Sequence, residues 1–426
     1  VVAKSSLPGS GEPYDVSVNS AEGLTAVLEN QINIDQSPTF NTSAGSLASL
    51  FNGGRTVAGD TISVSAFDPE SAGNVTFEVQ SGSLPAGLTA STVNENGVSK
   101  FRLTGTATAQ SSNTTSNFVL RAADAASNTS SRAFSVTVNA PQATSFTTSG
   151  TFSVPSGLTA VDVLVVAGGG HGGYQHAGGG GAGGLIYRPG FTVSPGSTIS
   201  VTVGTGGTSP EGSAPLYPQM TGQDSVFGTL TAKGGGHGAS GGSAVSSSNG
   251  PGTASAGGSG GGAGYNPSPN TGGAATQPTQ SGDSGAYGFG NAGGNATGSS
   301  SCRAGGGGGG AGAAGQTSSD KNGGDGGIGK AYTIADGTTS VYYAGGGGGS
   351  QHAQPSGLEG QGGQGGGGNA GGAPGPASAT NAQDGQANKG GGGGGAHYAS
   401  NQGTFGGAPA GYLQGAGGKG IVIVSF

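Results

Sequence analysis

The chain has 426 residues, 101 of them glycine, with 31% hydrophobic and 8% charged residues and a net charge of −7. That balance offers no basic surface for nucleic acid and no apolar run near the ~20 residues that cross a bilayer. With proline scarce and no Gly-X-Y period, it is not collagen either. One cysteine, Cys302, rules out an intrachain disulfide framework. Disordered chains are usually charged and poor in β-branched residues, whereas here charge is low and strand-like segments bracket the glycine. An ordered, all-β protein is expected. Residue 1 is valine and not methionine, which reads as a start that was processed or is left out, and the residues given contain no signal-peptide pattern.

Residues 1–37 read as a lead-in. Val1–Ser5 has the pattern of a short strand, and Leu7–Pro13 is a turn-rich joint. In Ala21–Asn30, Leu24, Val27 and Leu28 (with Gln31 just beyond) fall at helical spacing behind Ser20 as a cap, which predicts a short helix. Such a helix is too short to stand alone. It is expected to dock, either anchoring the chain to a larger assembly through Leu24, Val27 and Leu28, or serving as an interdomain connector.

Residues 38–140 read as one β-sandwich. Apolar and polar residues alternate in Thr61–Phe67, Val75–Val79, Lys100–Thr104, Asn117–Ala122 and Ala133–Val138. Gly, Pro, Asn and Asp clusters separate these runs at about the 8–12-residue spacing of sandwiches. The predicted core is Ile62, Val64, Phe77, Phe101, Leu103, Phe118, Leu120, Phe134 and Val136. The runs Ala66–Glu70, Val75–Val79, Ser81–Leu88, Leu103–Ala107 and Ala122–Asn128, with their Leu-Pro-Ala-Gly-Leu turn, resemble the immunoglobulin-like modules of bacterial surface proteins and phage fibres. Related cadherin-like modules bind calcium through acidic residues. The resemblance therefore makes Asp68, Glu70 and Asp124 weak calcium candidates, with turn-forming acids as the alternative.

Residues 141–426 form a glycine-rich domain. Strand-like segments occur at Thr144–Phe152 and Val161–Val166, expected to pair as a hairpin or as two strands. Others are Gly184–Val193, Thr198–Val203, Asp224–Ala232, Ala331–Ile334 and Ser340–Ala344. The continuous apolar run Ile421–Val424 predicts a buried strand beside Val163–Val166. The strand cap thus comprises residues 144–232 and 420–426, with the glycine tracts looping out from one end. A tract such as Gly305–Gly315 still carries an N–H and a C=O per residue that need partners. The threefold extended polyproline-II geometry has no internal hydrogen bonds. Without Cβ atoms, several such helices can lie close enough to bond one another through N–H and Cα–H donors. A bundle of packed polyglycine-II helices is therefore expected.

The interruptions between tracts become loops at the rim, and all five histidines fall in this domain. His171, Tyr174, His176, Tyr265, Tyr287, His352, His397 and Tyr398 are candidate receptor contacts, since such side chains offer a flat apolar face and a polar edge. The alternative is that they cap exposed backbone. Phe152–Gly170, Leu185–Gly190, Ser225–Gly228, Tyr342–Gly347 and Gly417–Ile423 resemble the glycine-rich domain of phage structural proteins. In a related group of tail-fibre adhesins, packed polyglycine-II helices carry tip loops that choose the host receptor.

The resemblance implies an extracellular structural protein on the exterior of a phage virion, most simply a fibre. Its partners would be other virion proteins through the N-terminal region, and a host polysaccharide or outer-membrane protein at the tip. A homo-oligomer is expected in the assembly, without nucleic acid or membrane insertion. A capsid or tail decoration protein, and a cellular filament subunit that donates Val1–Ser5 as a strand, are the alternatives.

Enzymatic signatures are absent from the sequence. Gly324–Lys330 nearly spells a phosphate-binding loop, but Ala331 stands where Ser or Thr should hold magnesium. His171 and His176 lack neighbouring Cys or carboxylate ligands, so no metal site and no cofactor is expected there. Cys302 has no catalytic partner in sequence. Asn41, Asn74, Asn113, Asn128 and Asn295 each begin an Asn-x-Ser/Thr triplet, which matters only on a glycosylating secretory route.

Overall fold

The computed structural model describes residues 13–32, 35–50, 56–57, 61–68, 75–108, 110–208, 220–241, 253–265, 270–299, 302–319, 321–351, 357–372, 380–397 and 414–426. The chain divides into two compact units, Val1–Pro141 and Gln142–Phe426. The regular elements of both are almost all strands.

The first unit contains β1 (Tyr14–Asn19), β2 (Thr25–Ile32), β3 (Thr39–Phe40), β4 (Gly45–Leu50), β5 (Thr56–Val57), β6 (Ser63–Phe67), β7 (Thr76–Gly82), β8 (Leu88–Glu95), β9 (Val98–Thr106), β10 (Thr114–Ala123) and β11 (Thr129–Val138). Two sheets, β4-β11-β10-β7 and β3-β6-β9-β5 with β8 also paired to β9, share one core. Alternation of period two turns Val64, Ala66, Phe101 and Leu103 inward from one sheet. Phe118, Leu120, Ala122, Phe134, Val136 and Val138 turn inward from the other, and all are buried. The Phe40 ring lies 5.9 Å from Phe134 and 6.2 Å from Phe77, tilted as aromatic pairs prefer. Glu95 pairs with Val98 around Asn96 and Gly97, both at positive φ, so a two-residue turn whose twist suits a hairpin joins β8 to β9.

The predicted helix over Ala21–Asn30 is not there. Those residues turn and return as β2 against β1, with Val16 opposite Leu28 and Val18 opposite Ala26. Ser20 caps a turn instead of a helix: its Oγ accepts from the N–H groups of Glu22 and Leu24, and Gly23 sits at φ 81°. The apolar spacing fits helix and strand alike over so short a window. The β-branched Thr25 and Val27 and the alternating Val16 and Val18 upstream tip it to a ribbon.

The second unit contains β12 (Ala143–Phe146), β13 (Gly150–Ser153), β14 (Ala160–Val166), β15 (Leu185–Thr192), β16 (Thr198–Thr202), β17 (Ser225–Phe227), β18 (Leu230–Ala232), β19 (Gly288–Phe289), β20 (Gly298–Ser299), β21 (Cys302–Arg303), β22 (Lys330–Tyr332), β23 (Val341–Tyr343) and β24 (Ile421–Ser425). One sheet runs β12-β24-β14-β15-β19 and a second β13-β16-β17-β18. The expected partnership of the terminal strand is present, antiparallel, with Val163 opposite Val424 and Val166 opposite Ile421. Because β24 occupies that edge of β14, Thr144–Phe152 cannot pair there as a hairpin. It divides instead, β12 lying on the far edge of β24 and β13 on β16 in the other sheet. Strands β14 and β24 are central in their sheet and buried on both faces, which is why they read as continuous apolar runs. Leu164, Val166, Leu185, Ile421 and Ile423 pack against Ala182, Ala311 and Ala344 of the glycine tracts.

The tracts themselves bond in a recurrence of three. The N–H groups of Gly178, Gly181 and Gly184 donate to the carbonyls of Ala239, Gly236 and Lys233; those of Gly179 and Ala182 donate to Gly306 and Gly309; those of Gly180 and Gly183 donate to Gly393 and Gly390, all at 2.8–3.0 Å. The carbonyls of the same tract accept on three further sides. Gly178, Gly181 and Gly184 accept from Gly173, Gly170 and Ala167; Gly179 and Ala182 from Gly262 and Ser259; Ala177 and Gly180 from Ser350 and Gly347. One tract thus touches six others, unlike a strand, whose hydrogen bonds reach only two neighbours. Glycine is required here by proximity. A Cβ on Gly178, Gly179, Gly180, Gly181 or Gly183 would lie 1.9–2.3 Å from a backbone oxygen of a neighbouring tract.

Each such bond is worth a net ~0.5–1.5 kcal/mol, against ~1–2 kcal/mol to order one residue's backbone. The tracts are therefore not self-sufficient, and the apolar cap supplies the remaining stabilisation. One polar side chain helps join the two. Gln277 is fully buried; its Oε1 accepts from the Lys233 N–H at 2.7 Å and its Nε2 donates to the carbonyl of Ser284 at 2.8 Å. Replacing Gln277 by leucine strands a buried donor and a buried acceptor, so a loss of about 2–4 kcal/mol is expected. Urea unfolding checks it, and a midpoint unchanged from wild type would refute that role.

Candidate functional site

Strands of the β12-β24-β14-β15-β19 sheet and of the separate β22-β23 pair adjoin the tracts: β14 leads into 167–173, β23 into 344–351, and 177–184 and 414–420 lead into β15 and β24. Going outward from the cap, the first turn is Tyr174–His176, where Gln175 (φ 59°) and His176 (φ 44°) both occupy the left-handed region. Two consecutive non-glycine residues there are uncommon. They are held by the backbone around them: Gly173 N–H donates to Gly178 at 2.9 Å, and Gly241 N–H donates to the carbonyls of Tyr174 and Gln175. Tyr265 N–H donates to His176, Ser350 N–H to Ala177, Ala396 N–H to Gly173, and Gly371 N–H to Gly395. So Gly173, His176, Ala177, Gly241, Tyr265, Ser350 and Ala396 bond at one level of the lattice, the side away from the cap.

This end gathers four of the sequence candidates: Tyr174, His176, Tyr265 and His397. Tyr174 and Tyr265 are half-buried. The Arg303 guanidinium lies 5.6 Å over the Tyr265 ring, a cation–π contact of about 0.5–1 kcal/mol at a partly exposed site. His176 and His397 meet edge to face at 6.2 Å, but both are buried, at 4% and 3% exposure. They are packing groups beneath the surface and not rim contacts, which corrects the sequence reading. His171 is further from it still, at 1% exposure, one repeat inside the lattice, where its backbone N–H donates to the Met220 carbonyl at 2.8 Å. Tyr287 lies at the opposite end, beside the cap: its carbonyl accepts from Tyr187 N–H, and Arg188 stacks over its ring at 4.5 Å. His352, Tyr398 and Glu70 lie outside the described residues.

The anchor residues are placed differently from the helical expectation, but they are accessible. Leu24, Val27 and Leu28 are 75%, 51% and 57% exposed on the β1–β2 ribbon. Asp124 serves a turn, its Oδ1 accepting from the Asn128 N–H at 2.8 Å. No group of three His, Cys, Asp or Glu side chains converges among the described residues. Asp68 and Asp124 therefore share no site with a third described His, Cys, Asp or Glu.

Burial lowers the pKa of His171, whose Nδ1 meets the Gly172 carbonyl. It does the same to His237, whose Nδ1 lies 3.2 Å from the Gly238 carbonyl. Near the cap, Tyr332 stacks on Tyr187 with ring centroids 4.6 Å apart, and burial pushes its hydroxyl up to about 12. Neither Arg303 over Tyr265 nor the Gln277 linkage was legible from sequence, since each joins tracts far apart in the chain.

A model of the glycine-rich domain family matches residues 144–426, cap and tracts together. The chain belongs to that family. No curated protein matches the sequence. Among solved structures, the chain is similar to an endo-fucoidan hydrolase, MfFcnA4 from glycoside hydrolase family 107, at 14% identity over 45% of this chain and 34% of that one, with a TM-score of 0.20. It is also similar to human CDH23 EC21-23, at 14% identity over 44% of this chain and 67% of that one, with a TM-score of 0.21. The match thus spans about a third of the hydrolase's length, and no activity passes from that enzyme to this chain.

Proposed function

We propose that the chain is an exterior structural protein of a phage virion, a fibre or adhesin whose glycine-rich unit meets the host surface. The observation that carries this reading is the polarity of that unit. The apolar strands of the cap gather at one end, and tracts almost free of side chains lead away from them. Several stretches of sequence between the glycine tracts are rich in side chains where the tracts have almost none: 242–252, 266–269, 352–356, 373–379 and 398–413. A stiff support whose variable chemistry is confined to the connections suits recognition of a changing surface. The three-residue recurrence of hydrogen-bond partners supports reading the tracts as polyglycine-II helices.

The test replaces residues 242–252, 266–269 and 398–413, singly and together, by Gly/Ser stretches of equal length in the full chain. Binding to a panel of bacterial strains is then measured by sedimentation with labelled protein. Wild type is expected to bind a subset of strains, and the combined replacement to weaken that binding by about 30-fold or more. Amide exchange in residues 168–184 should stay slow throughout. Binding that survives all three replacements would sink the proposal, as would wild type that binds no strain.

A further inference from the structure

Strands β22 and β23 form a separate two-stranded sheet, and a lone pair of strands is marginal in water. Residues directly opposite share a face. Lys330 opposite Tyr343 and Tyr332 opposite Val341 turn toward the apolar cluster of the cap, while Ala331 opposite Tyr342 turns away. Side chains hold the pair there. Tyr343 is buried, the Lys330 ammonium lies 4.2 Å over the Phe289 ring, and Tyr332 stacks on Tyr187 of β15. The two tyrosine rings stand 4.6 Å apart between centroids and are inclined by 36°, at the short end of the range for aromatic pairs. Both are half-buried. They are enclosed enough to be held together and open enough to meet a small solute.

We propose that Tyr187 and Tyr332 form an oxidative cross-linking site, two phenols placed to join as dityrosine when a one-electron oxidant acts on them. Two equivalents of oxidant are consumed per link. Each ring gives one electron to the oxidant and its phenolic proton to water. The two phenoxyl radicals join ortho carbon to ortho carbon, and each ring then returns its displaced ortho hydrogen, as a proton, to oxygen. One carbon–carbon bond forms, two carbon–hydrogen bonds break, and the pair ends two hydrogen atoms lighter. The rings must rotate about their side-chain bonds but hardly approach, because rings joined through one bond keep their centroids nearly as far apart. Burial raises both hydroxyls above the ordinary tyrosine value, so at neutral pH each starts as the protonated phenol. The link ties β22 to β15 of the cap, residues far apart in the chain, and a bond that closes so long a loop restricts the unfolded state.

The test illuminates the full chain, kept dilute, with ruthenium tris-bipyridyl and persulfate, which takes up the two electrons as sulfate. Dityrosine fluorescence and mass-spectrometric peptide mapping read the product. Wild type should give a linked monomer in which the peptides holding Tyr187 and Tyr332 are joined, with the urea midpoint raised. Tyr187→Phe and Tyr332→Phe keep the stacked ring, and so the fold, and should each abolish that joined pair. Tyr342→Phe, on the outer face of β23 where Tyr342 is 39% exposed, should leave its yield unchanged. Oxidised protein in which Tyr187 and Tyr332 are recovered on separate peptides overturns the proposal. So does dityrosine that joins other positions or two molecules instead. A linked monomer no more resistant to urea than untreated protein would refute the stapling of hairpin to cap.

Discussion

Alanine in place of Gly180 is expected to cost the glycine-rich unit about 3–5 kcal/mol, far more than alanine usually costs at a glycine. The added methyl would lie 2.1 Å from the Gly170 oxygen. Moving the tract away does not relieve it. The Gly180 carbonyl already sits so close to Gly308 and Gly392 that a Cβ on either would lie 1.9 Å from its oxygen. A shift of about 1 Å would also pull apart the bonds from Gly180 N–H to Gly393 and from Gly347 N–H to Gly180, now 2.8 and 2.9 Å. Gly157 is the control. It sits at φ 81° with nothing within 4 Å of the place a methyl would take, so alanine there costs only the left-handed backbone penalty of about 1–2 kcal/mol. Urea unfolding together with amide exchange over residues 168–184 separates the two. A Gly180→Ala protein no less stable than Gly157→Ala would refute close-packed tracts.

Stability of the same unit is expected to fall as pH drops below 6.5. His171 and His237 are held neutral by burial, with folded pKa values below the ordinary 6.5. An unfolded chain binds protons at both rings below that pH while the folded chain does not. Their contribution is therefore complete above 6.5 and lost progressively as pH falls toward the folded values. Each group contributes a slope of up to about 1.4 kcal/mol per pH unit, so the pair reaches up to about 2.7. Asp384 opposes the shift at His171, as a nearby carboxylate favours the imidazolium. Denaturant midpoints at pH 7.5, 6.5 and 5.5 measure the effect, and His237→Asn should remove about half of the slope. A flat profile, or one rising toward pH 5.5, would show that the two rings are accessible to protons in the folded state.

Composition and alternation were sufficient for the class of fold. The period-two runs around Val64, Phe101, Phe118 and Phe134 lie where a sandwich core needs them, because each strand's inward set is written in its own residues. Ile421–Val424 was legible as a buried strand for the same reason: four consecutive apolar residues suit a strand covered on both faces. Ala21–Asn30 was not, since ten residues with three apolar positions satisfy two periodicities. What decided between them was Val16 and Val18 across the turn, outside that window.

Glycine by itself determined that this unit would rely on backbone contacts, because a residue without a side chain has only its amide, its carbonyl and its small size to offer. It did not determine which tract meets which. Gly180 touches carbonyls and amides from near residues 170, 308, 347 and 393, and nothing local to Gly180 distinguishes it from Gly179 and Gly181, which meet other tracts. The histidines show the same limit. His171, His176 and His397 read as surface groups amid polar, flexible-looking sequence, yet neighbouring tracts from elsewhere in the chain enclose them. Only the tertiary structure decides burial where the covering atoms are backbone, since backbone leaves no pattern of side chains by which the cover can be foreseen.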